Sequence, residues 1–447
     1  MKSIFKRTLA LLLIIFTLLP LVSCSLFYDA SYDSEPDSIG SVGLIDESMF
    51  IVTEGDKLKT LCGDVLTLRG VNIGGLFVTE NWMNAIFQHT KTEDGERVRT
   101  YDKLITETFL ERFGEEKTKA LWEEYRNNYI SDADFEILRD MGVNAIRLPI
   151  TYMTVDFNAM YGYEHAGKEY DFSLVDAFVE KAASYGIYTI LDLHGAYGSQ
   201  NGADHSGEVK VPTDFYSNEE MMQLTVNLWR AMAEHYKGNP AIAGYDILNE
   251  PGEHKEGGGT EFTTVRHWDF FDRLYDAIRE VDKDHVIIIE SCWTAANLPH
   301  PATYGWKNVM YSFHHYSTQY GDDPSIHNAT VDAVIASLKL ANFGVPLYMG
   351  EFTCYGNRGQ WEHTLNAFNE AGWSWSSWTY KIHKRHMDSW GVVNVTSKEN
   401  QINIYTDSYE DIFAAFSSLK TSDENTRYAK LDDGSRLYDI IKKYTSN

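Results

Sequence analysis

The sequence predicts an α/β chain folded as a (β/α)₈ barrel, with a small N-terminal β-hairpin and a helical insert after the first barrel strand. Three observations carry that expectation. Eight short, β-rich apolar runs recur at Leu66 to Ile73, Ala145 to Leu148, Thr189 to Leu193, Ala243 to Leu248, Val286 to Ile289, Asn308 to Phe313, Pro346 to Met349 and Ser374 to Trp378. Segments with helical spacing of apolar residues alternate with them, the pattern of repeated βα units. Nearly every run also closes on a polar or aromatic residue, which a site at the carboxyl ends of barrel strands requires and a purely structural barrel does not.

The elements follow in chain order. Residues 1–23 read as an export signal, with a basic start at Lys2, Lys6 and Arg7 and an apolar run from Leu9 to Val22. That run is shorter than the roughly 20 apolar residues needed to span a bilayer. Leu21-Val22-Ser23-Cys24 resembles a bacterial lipobox. The resemblance implies cleavage before Cys24, its lipidation, and a membrane-anchored lipoprotein at the bacterial cell surface or periplasmic face. Residues 24–45, rich in Ser, Asp, Gly and Tyr without periodicity, form a flexible tether with a reach of about 25 Å by random-coil scaling.

Residues 46–447 make the barrel domain. It opens with the hairpin, Phe50 to Thr53 and Leu58 to Leu61 around Glu54-Gly55-Asp56, a candidate plug for the barrel bottom. The long interval after the first run holds a helical stretch, Thr106 to Arg126, and leaves Trp82 to Tyr101 as a loop over the cleft. Helices are expected at Ser131 to Met141, with Ser131 as cap, and at Ser173 to Tyr185, Glu219 to Lys237, Trp268 to Asp282 and Val331 to Phe343. Beyond Trp378 a last helix, Leu437 to Tyr444, is preceded by irregular segments.

Composition narrows the function. The net charge is −26, and removal of residues 1–23 takes three basic and no acidic residues, giving −29. Such a surface repels nucleic acid and suits a neutral polymer. Aromatic residues make up 14%, with 11 Trp and 28 Tyr, enough to line a sugar cleft as well as fill a core. After Cys24 only Cys62, Cys292 and Cys354 remain, widely spaced, so neither a disulfide framework nor a metal cluster is implied.

The chemistry lies in two glutamates. Ile247-Leu248-Asn249-Glu250-Pro251 and Leu347-Tyr348-Met349-Gly350-Glu351-Phe352 each deliver one at the end of an apolar run. On strands of one barrel, the two carboxylates face each other across a cleft. That is the arrangement for cutting a glycosidic bond with retention, in which one carboxyl protonates the leaving oxygen and the other attacks the anomeric carbon from about 5 Å. The other run ends lead to Glu80, Arg147, His194, His314, Tyr316 and Trp378. His205, Trp293, Trp306 and Tyr197 remain open between sugar platforms and packing.

At these residues the chain resembles glycoside hydrolase family 5. The matching pieces are Arg69-Gly70-Val71-Asn72-Ile73-Gly74-Gly75, Asn144-Ala145-Ile146-Arg147-Leu148-Pro149, Leu193-His194-Gly195, Leu248-Asn249-Glu250-Pro251, His314-His315-Tyr316 and Gly350-Glu351-Phe352. Leu191 to Gly202 and Phe113-Gly114 are most similar to the exo-β-1,3-glucanase branch, although His205 stands where that branch usually has Asn. The resemblance implies Glu250 as general acid/base, Glu351 as nucleophile, and Arg147 and Tyr316 as contacts of the Glu351 carboxylate. It further implies that Asn249 binds the sugar 2-hydroxyl, that His194 and His314 orient neighbouring groups, that Trp378 forms the floor, and that Glu80 holds terminal glucose hydroxyls. No cofactor or metal is expected. The expected activity is retaining hydrolysis of a β-glucan, β-1,3-linked and from chain ends, by a monomer that meets a membrane only through its lipid anchor. An endo-acting β-1,4-glucanase or mannanase with the same chemistry is one alternative, and a non-catalytic surface glycan-binding lipoprotein is another.

Overall fold

The computed structural model describes residues 43–446 apart from 81, 87–88, 257–258, 262–264, 292–293, 318–322, 384–389 and 396–400. Residues 1–42, with Cys24, the leader and most of the tether, lie outside the described residues, as does Trp293.

Eight parallel strands close into a barrel: β1 (Arg69–Asn72), β2 (Ala145–Thr151), β3 (Tyr188–Gly195), β4 (Ile242–Asp246), β5 (Ile287–Glu290), β6 (Val309–His315), β7 (Leu347–Phe352) and β8 (Ser374–Ser377). Each strand pairs with its neighbours in sequence, and β8 pairs with β1 through Trp375↔Arg69, Ser376↔Gly70 and Ser377↔Val71. All eight coincide with the apolar runs of the sequence. Every residue of β2, β3, β4, β5 and β8 is buried, because helices cover the outside and side chains fill the inside. A register shift between Phe313 and His314 brings His314 opposite Glu351 on β7, so a bulge re-aims the end of β6 toward its neighbour.

The insert after β1 is helical, as Asp102–Phe113 and Glu115–Tyr129, separated by Gly114 at φ 78°. Next comes Asp132–Asp140, whose N-terminus Ser131 and Asp134 close with a reciprocal capping box. Ser173–Ser184, Glu219–Tyr236, Val265–Val281, Pro324–Ala341 and Arg358–Ala371 follow β2, β3, β4, β6 and β7. Between β5 and β6 the alternation fails: only short 3₁₀ turns at Ala295–Asn297 and Pro301–Thr303 occur there among the described residues. Pro299 and Pro301 each lack a backbone N–H and fix φ, which disfavours continuing a helix through that stretch.

The hairpin (Ile51–Glu54 with Lys57–Thr60) gains a third strand, Val65–Leu66, and packs at the amino-terminal end of the barrel. There Tyr188 Oη donates to Met49 O at 2.8 Å, and Thr53 N donates to Asn308 Oδ1 at 2.8 Å. Three expectations are corrected. The Trp82 to Tyr101 segment contains its own hairpin, His89–Lys91 with Arg97–Arg99. The region after β8 is more regular than its sequence suggests, with a three-stranded sheet (Lys381–Ile382, Val393–Val395, Thr426–Tyr428) and a helix, Tyr409–Ser417, before the expected last helix, Leu437–Thr445. Strands of two or three residues carry no readable period, which is why the sequence conceals them. Cys62 is disulfide-bonded, with its partner outside the described residues, whereas Cys354 is a buried free thiol.

Candidate active site

The strand-end residues converge at one rim of the barrel. Glu351 closes β7, and its carboxylate meets two donors: Arg147 Nη1 reaches Oε1 at 2.7 Å, and Tyr316 Oη reaches Oε2 at 2.8 Å. Glu250 follows β4 with φ at 39°, a left-handed backbone uncommon for a side-chain-bearing residue and typical of functional sites. Its backbone N–H donates to Glu290 Oε1 at 2.9 Å, which fixes the turn. His314 Nδ1 lies 2.9 Å from Glu250 Oε1 and 3.5 Å from Glu351 Oε2, so one imidazole bridges the two acids. One oxygen of each carboxylate and a His314 nitrogen all fall within 4.8 Å of one another. These carboxylates are also in contact with Arg147, Tyr316 and His205. A Cβ on Gly350 would lie 2.5 Å from Ser312 Oγ, so only glycine lets β7 approach β6 this closely beside Glu351.

Arg147 is the hub. It is fully buried, and its guanidinium donates from Nε to Asp246 Oδ2 (2.7 Å), from Nη1 to Asn72 Oδ1 (3.2 Å) as well as to Glu351, and from Nη2 to Asn249 Oδ1 (2.9 Å). Asp192 Oδ1 at 3.1 Å and Glu290 Oε2 at 3.4 Å complete its surroundings. Four buried carboxylates thus share one cation, an arrangement in which they cannot all stay ionised. Burial pushes Asp192 up to about 7 and Asp246 up to about 6, against the pull of Arg147, and raises Glu290 well above the usual carboxylate range.

The remaining predicted residues join this network. Asn249 Nδ2 lies 3.3 Å from His194 Nε2, and His194 Nδ1 lies 2.7 Å from Asp192 Oδ2. Burial lowers His194 to about 3, so the ring is neutral, donating from Nδ1 to Asp192 and accepting at Nε2 from Asn249. Trp378, buried, stacks on His194 with centroids 5.4 Å apart and planes 14° apart. Glu80 accepts from Trp82 Nε1, and burial pushes its carboxyl up to about 8. Of the four residues left open between platform and packing, Tyr197 and Trp306 are packing: Tyr197 donates to Asp156 Oδ2 at 2.6 Å, and Trp306 Nε1 donates to Asp272 Oδ1 at 2.8 Å. His205 instead enters the site, with Nε2 3.3 Å from Glu250 Oε2.

Sequence reasoning missed Asp192, Asp246 and Glu290 as partners of Arg147. The available signal was a lone acid within an apolar run (Asp192, Asp246) or directly after one (Glu290), since an ionisable group at an inward strand position demands a partner. It also missed Trp390, whose ring lies 4.9 Å from Trp82 and 6.0 Å from Tyr316, forming an aromatic wall beside Glu351. A second missed contact closes one side of the rim. Arg99, in the hairpin after β1, pairs with Asp204 at 2.7 Å, and Lys103 N donates to Gly207 O at 2.9 Å.

Fold and site together define a (β/α)₈ barrel with a two-carboxylate centre at the carboxyl ends of its strands. The chain belongs to the cellulase family, glycosyl hydrolase family 5, whose profile matches residues 107–384. It is 29% identical over 272 residues to a "Beta-xylosidase" of Phanerodontia chrysosporium, covering 60% of this chain and 52% of that protein. It is 28% identical over 291 residues to a "Probable glucan 1,3-beta-glucosidase A" of Neosartorya fischeri, covering 64% and 65%. The chain therefore spans between half and two thirds of the length of these curated relatives. The crystal structure of an endogalactoceramidase shares the fold, with a TM-score of 0.54 at 18% identity, covering 89% of this chain and 84% of that one.

Proposed function

We propose that this protein hydrolyses β-glucosidic bonds of a glucan with retention, by double displacement. The observation that carries the reading is that one oxygen of Glu250 and one of Glu351 lie within 4.8 Å of each other, in keeping with the roughly 5 Å carboxyl spacing of retaining enzymes. Both side chains keep a solvent-facing fraction, 17% for Glu250 and 6% for Glu351, so a saccharide has a route to them.

In this scheme Glu351, held by donors from Arg147 and Tyr316, attacks the anomeric carbon. Glu250 protonates the departing oxygen and later deprotonates the attacking water. Asn249, oriented by Arg147 and His194, contacts the sugar 2-hydroxyl, where hydrogen bonds strengthen as the oxocarbenium character grows. His314 spaces the two acids, Trp378 forms the floor, and Glu80, protonated near neutrality, donates to a terminal hydroxyl. The chemistry needs only these groups and water.

Attack on β-1,3-glucan from chain ends is favoured by the clasp of Arg99 on Asp204, which draws the hairpin after β1 against the segment after β3 and closes one side of the rim. The names of two relatives, glucan 1,3-beta-glucosidase and beta-xylosidase, support a β-linked substrate. Incubation with laminarin, carboxymethyl cellulose and mannan, followed by sizing of products, tests the reading. Glucose released from laminarin is expected. Internal cuts in cellulose or mannan would replace it with the endo-acting alternative. Wild-type hydrolysis by Glu351→Gln would remove the catalytic assignment, and tight glycan binding without turnover by the unaltered protein would favour the non-catalytic binder.

The proposal extends to location: residues 1–23 act as a cleaved lipoprotein signal, Cys24 carries the lipid, and residues 24–45 tether a catalytic unit, residues 46–447, that acts as a monomer. Among the described residues no helix is long and apolar enough to cross a membrane. Cys24→Ser should move the protein from the membrane to the soluble fraction, and unchanged retention would contradict lipid anchoring.

A further inference from the structure

His205 occupies a position that the hydrolytic scheme leaves unused. It sits on the 3₁₀ turn Asp204–Ser206, which lies against the end of β3 because a Cβ on Gly195 would come 2.2 Å from Ser206 O. The turn delivers the ring to the one Glu250 oxygen that His314 does not take: His205 Nε2 is 3.3 Å from Oε2, while His314 Nδ1 is 2.9 Å from Oε1. The same Nε2 lies 2.8 Å from Asn201 Nδ2, in an amide whose Oδ1 already accepts from Ala203 N at 2.9 Å. Neutral, Nε2 accepts from Asn201 Nδ2; protonated, it turns its N–H to Glu250 Oε2 and the Asn201 amide swings aside, since two donors cannot face each other at 2.8 Å.

We propose, resting on the hydrolase reading above, that His205 and Glu250 form one proton-carrying pair, in which His205 stores between turnovers the proton that Glu250 delivers to the leaving group. His205 is thus a positioning residue acting through Glu250. The groups facing it are Glu250 from the end of β4, Glu80 from the loop after β1, Asp204 from its own turn, and the ring of His194 from β3 at 5.9 Å. Arg99, the nearby cation, is engaged by Asp204. Burial pushes His205 down, but its contact with the Glu250 carboxylate outweighs that and lifts the ring to about 9. Burial likewise pushes Glu250 up, and its contacts with His205 and His314 outweigh that and hold it well below the usual range. The resting pair is an imidazolium beside a carboxylate, and a lone Glu250 would enter the first step without the proton that step consumes.

The steps balance. As Glu351 attacks the anomeric carbon, the proton passes from His205 Nε2 to Glu250 and on to the glycosidic oxygen, whose bond to carbon breaks as the leaving sugar departs as an alcohol. In the second step Glu250 takes a proton from water while the water oxygen displaces Glu351. That proton returns to His205, so one water is consumed per cycle and the pair is restored.

The experiment compares His205→Gln with the unaltered protein, measuring kcat/KM from pH 4 to 10 on a laminari-oligosaccharide and on 2,4-dinitrophenyl β-glucoside, whose leaving group needs no proton. The alkaline limb on the oligosaccharide should move acidic by about one pH unit or more, with a loss of roughly tenfold or more at pH 7, whereas the activated glycoside should change by less than about threefold. An alkaline limb that stays in place, or equal losses on both substrates, would make His205 a packing or sugar-binding residue and overturn the inference while leaving the hydrolase reading intact. Failure of the unaltered protein on every glycoside would sink both. Nuclear magnetic resonance of ¹⁵N-histidine-labelled wild type needs no variant: a His205 ring charged at pH 7 is expected, and a neutral one refutes the storage role.

Discussion

Replacing Arg147 by lysine keeps a positive charge but removes the fork on which both barrel and site depend. The guanidinium spreads its donors over Asp246, Glu351, Asn249, Asp192, Asn72 and Glu290 at 2.7 to 3.4 Å, from three nitrogens pointing in different directions. A single ammonium cannot serve them together. The Glu351 carboxylate loses a charge-assisted bond, about 1.5–3 kcal/mol, and Asn249 loses its orienting donor, about 1 kcal/mol. At 1.36 kcal/mol per factor of ten, the sum predicts a fall in kcat/KM of roughly 10²–10³. Stability should fall as well, because Asp192, Asp246 and Glu290 are left buried with a displaced cation; breaking such a cluster costs about 3–5 kcal/mol. Urea unfolding followed by tryptophan fluorescence, alongside hydrolysis rates, measures both. A variant within about 1 kcal/mol of wild type that keeps a third of its activity would show that the guanidinium geometry is not what organises the site.

Two further outcomes are expected. Arg99→Ala opens the clasp to Asp204; with Arg99 half exposed the stability change should stay under about 1 kcal/mol, but laminarin products should shift from glucose toward longer oligosaccharides, and an unchanged product ladder would detach this ion pair from chain-end action. Stability should fall between pH 7 and 9: Glu80 (about 8) and His205 (about 9) hold protons in the fold that the unfolded chain has released by pH 7, so their contribution, complete at low pH, is lost as pH rises through those values, by about 3–4 kcal/mol at 1.36 per unit for each group. The carboxyls held low, Glu250 and Asp282, are ionised in both states across that window and add no slope. A urea midpoint that is flat or rises from pH 7 to 9 would refute this accounting.

Much of the site was readable before any coordinates because each residue closes a strand. An apolar run predicts where a strand ends, and in a barrel the strand ends share one rim, so Glu250, Glu351, Arg147, His194, Asn249, His314 and Tyr316 could be grouped without distances. The connection between β5 and β6, without an α-helix among its described residues, the short strands from Lys381 onward and the disulfide at Cys62 were not readable, since none leaves a period or a spacing in the sequence. Asp192, Asp246 and Glu290 were visible as lone acids but not as partners of Arg147, and nothing local in Asp204-His205-Ser206 points to Glu250.

The one-dimensional pattern determined which residues face the barrel interior and at which end they emerge, because strand alternation and βα order are local properties written in consecutive residues. Tertiary structure alone decided how charge is divided among them: four buried acids around one guanidinium, and an imidazole set against one oxygen of Glu250. Protonation depends on through-space distance and burial, which fall off within a few ångströms, and residues 147, 205, 250, 290 and 351 reach those distances only once the barrel has closed.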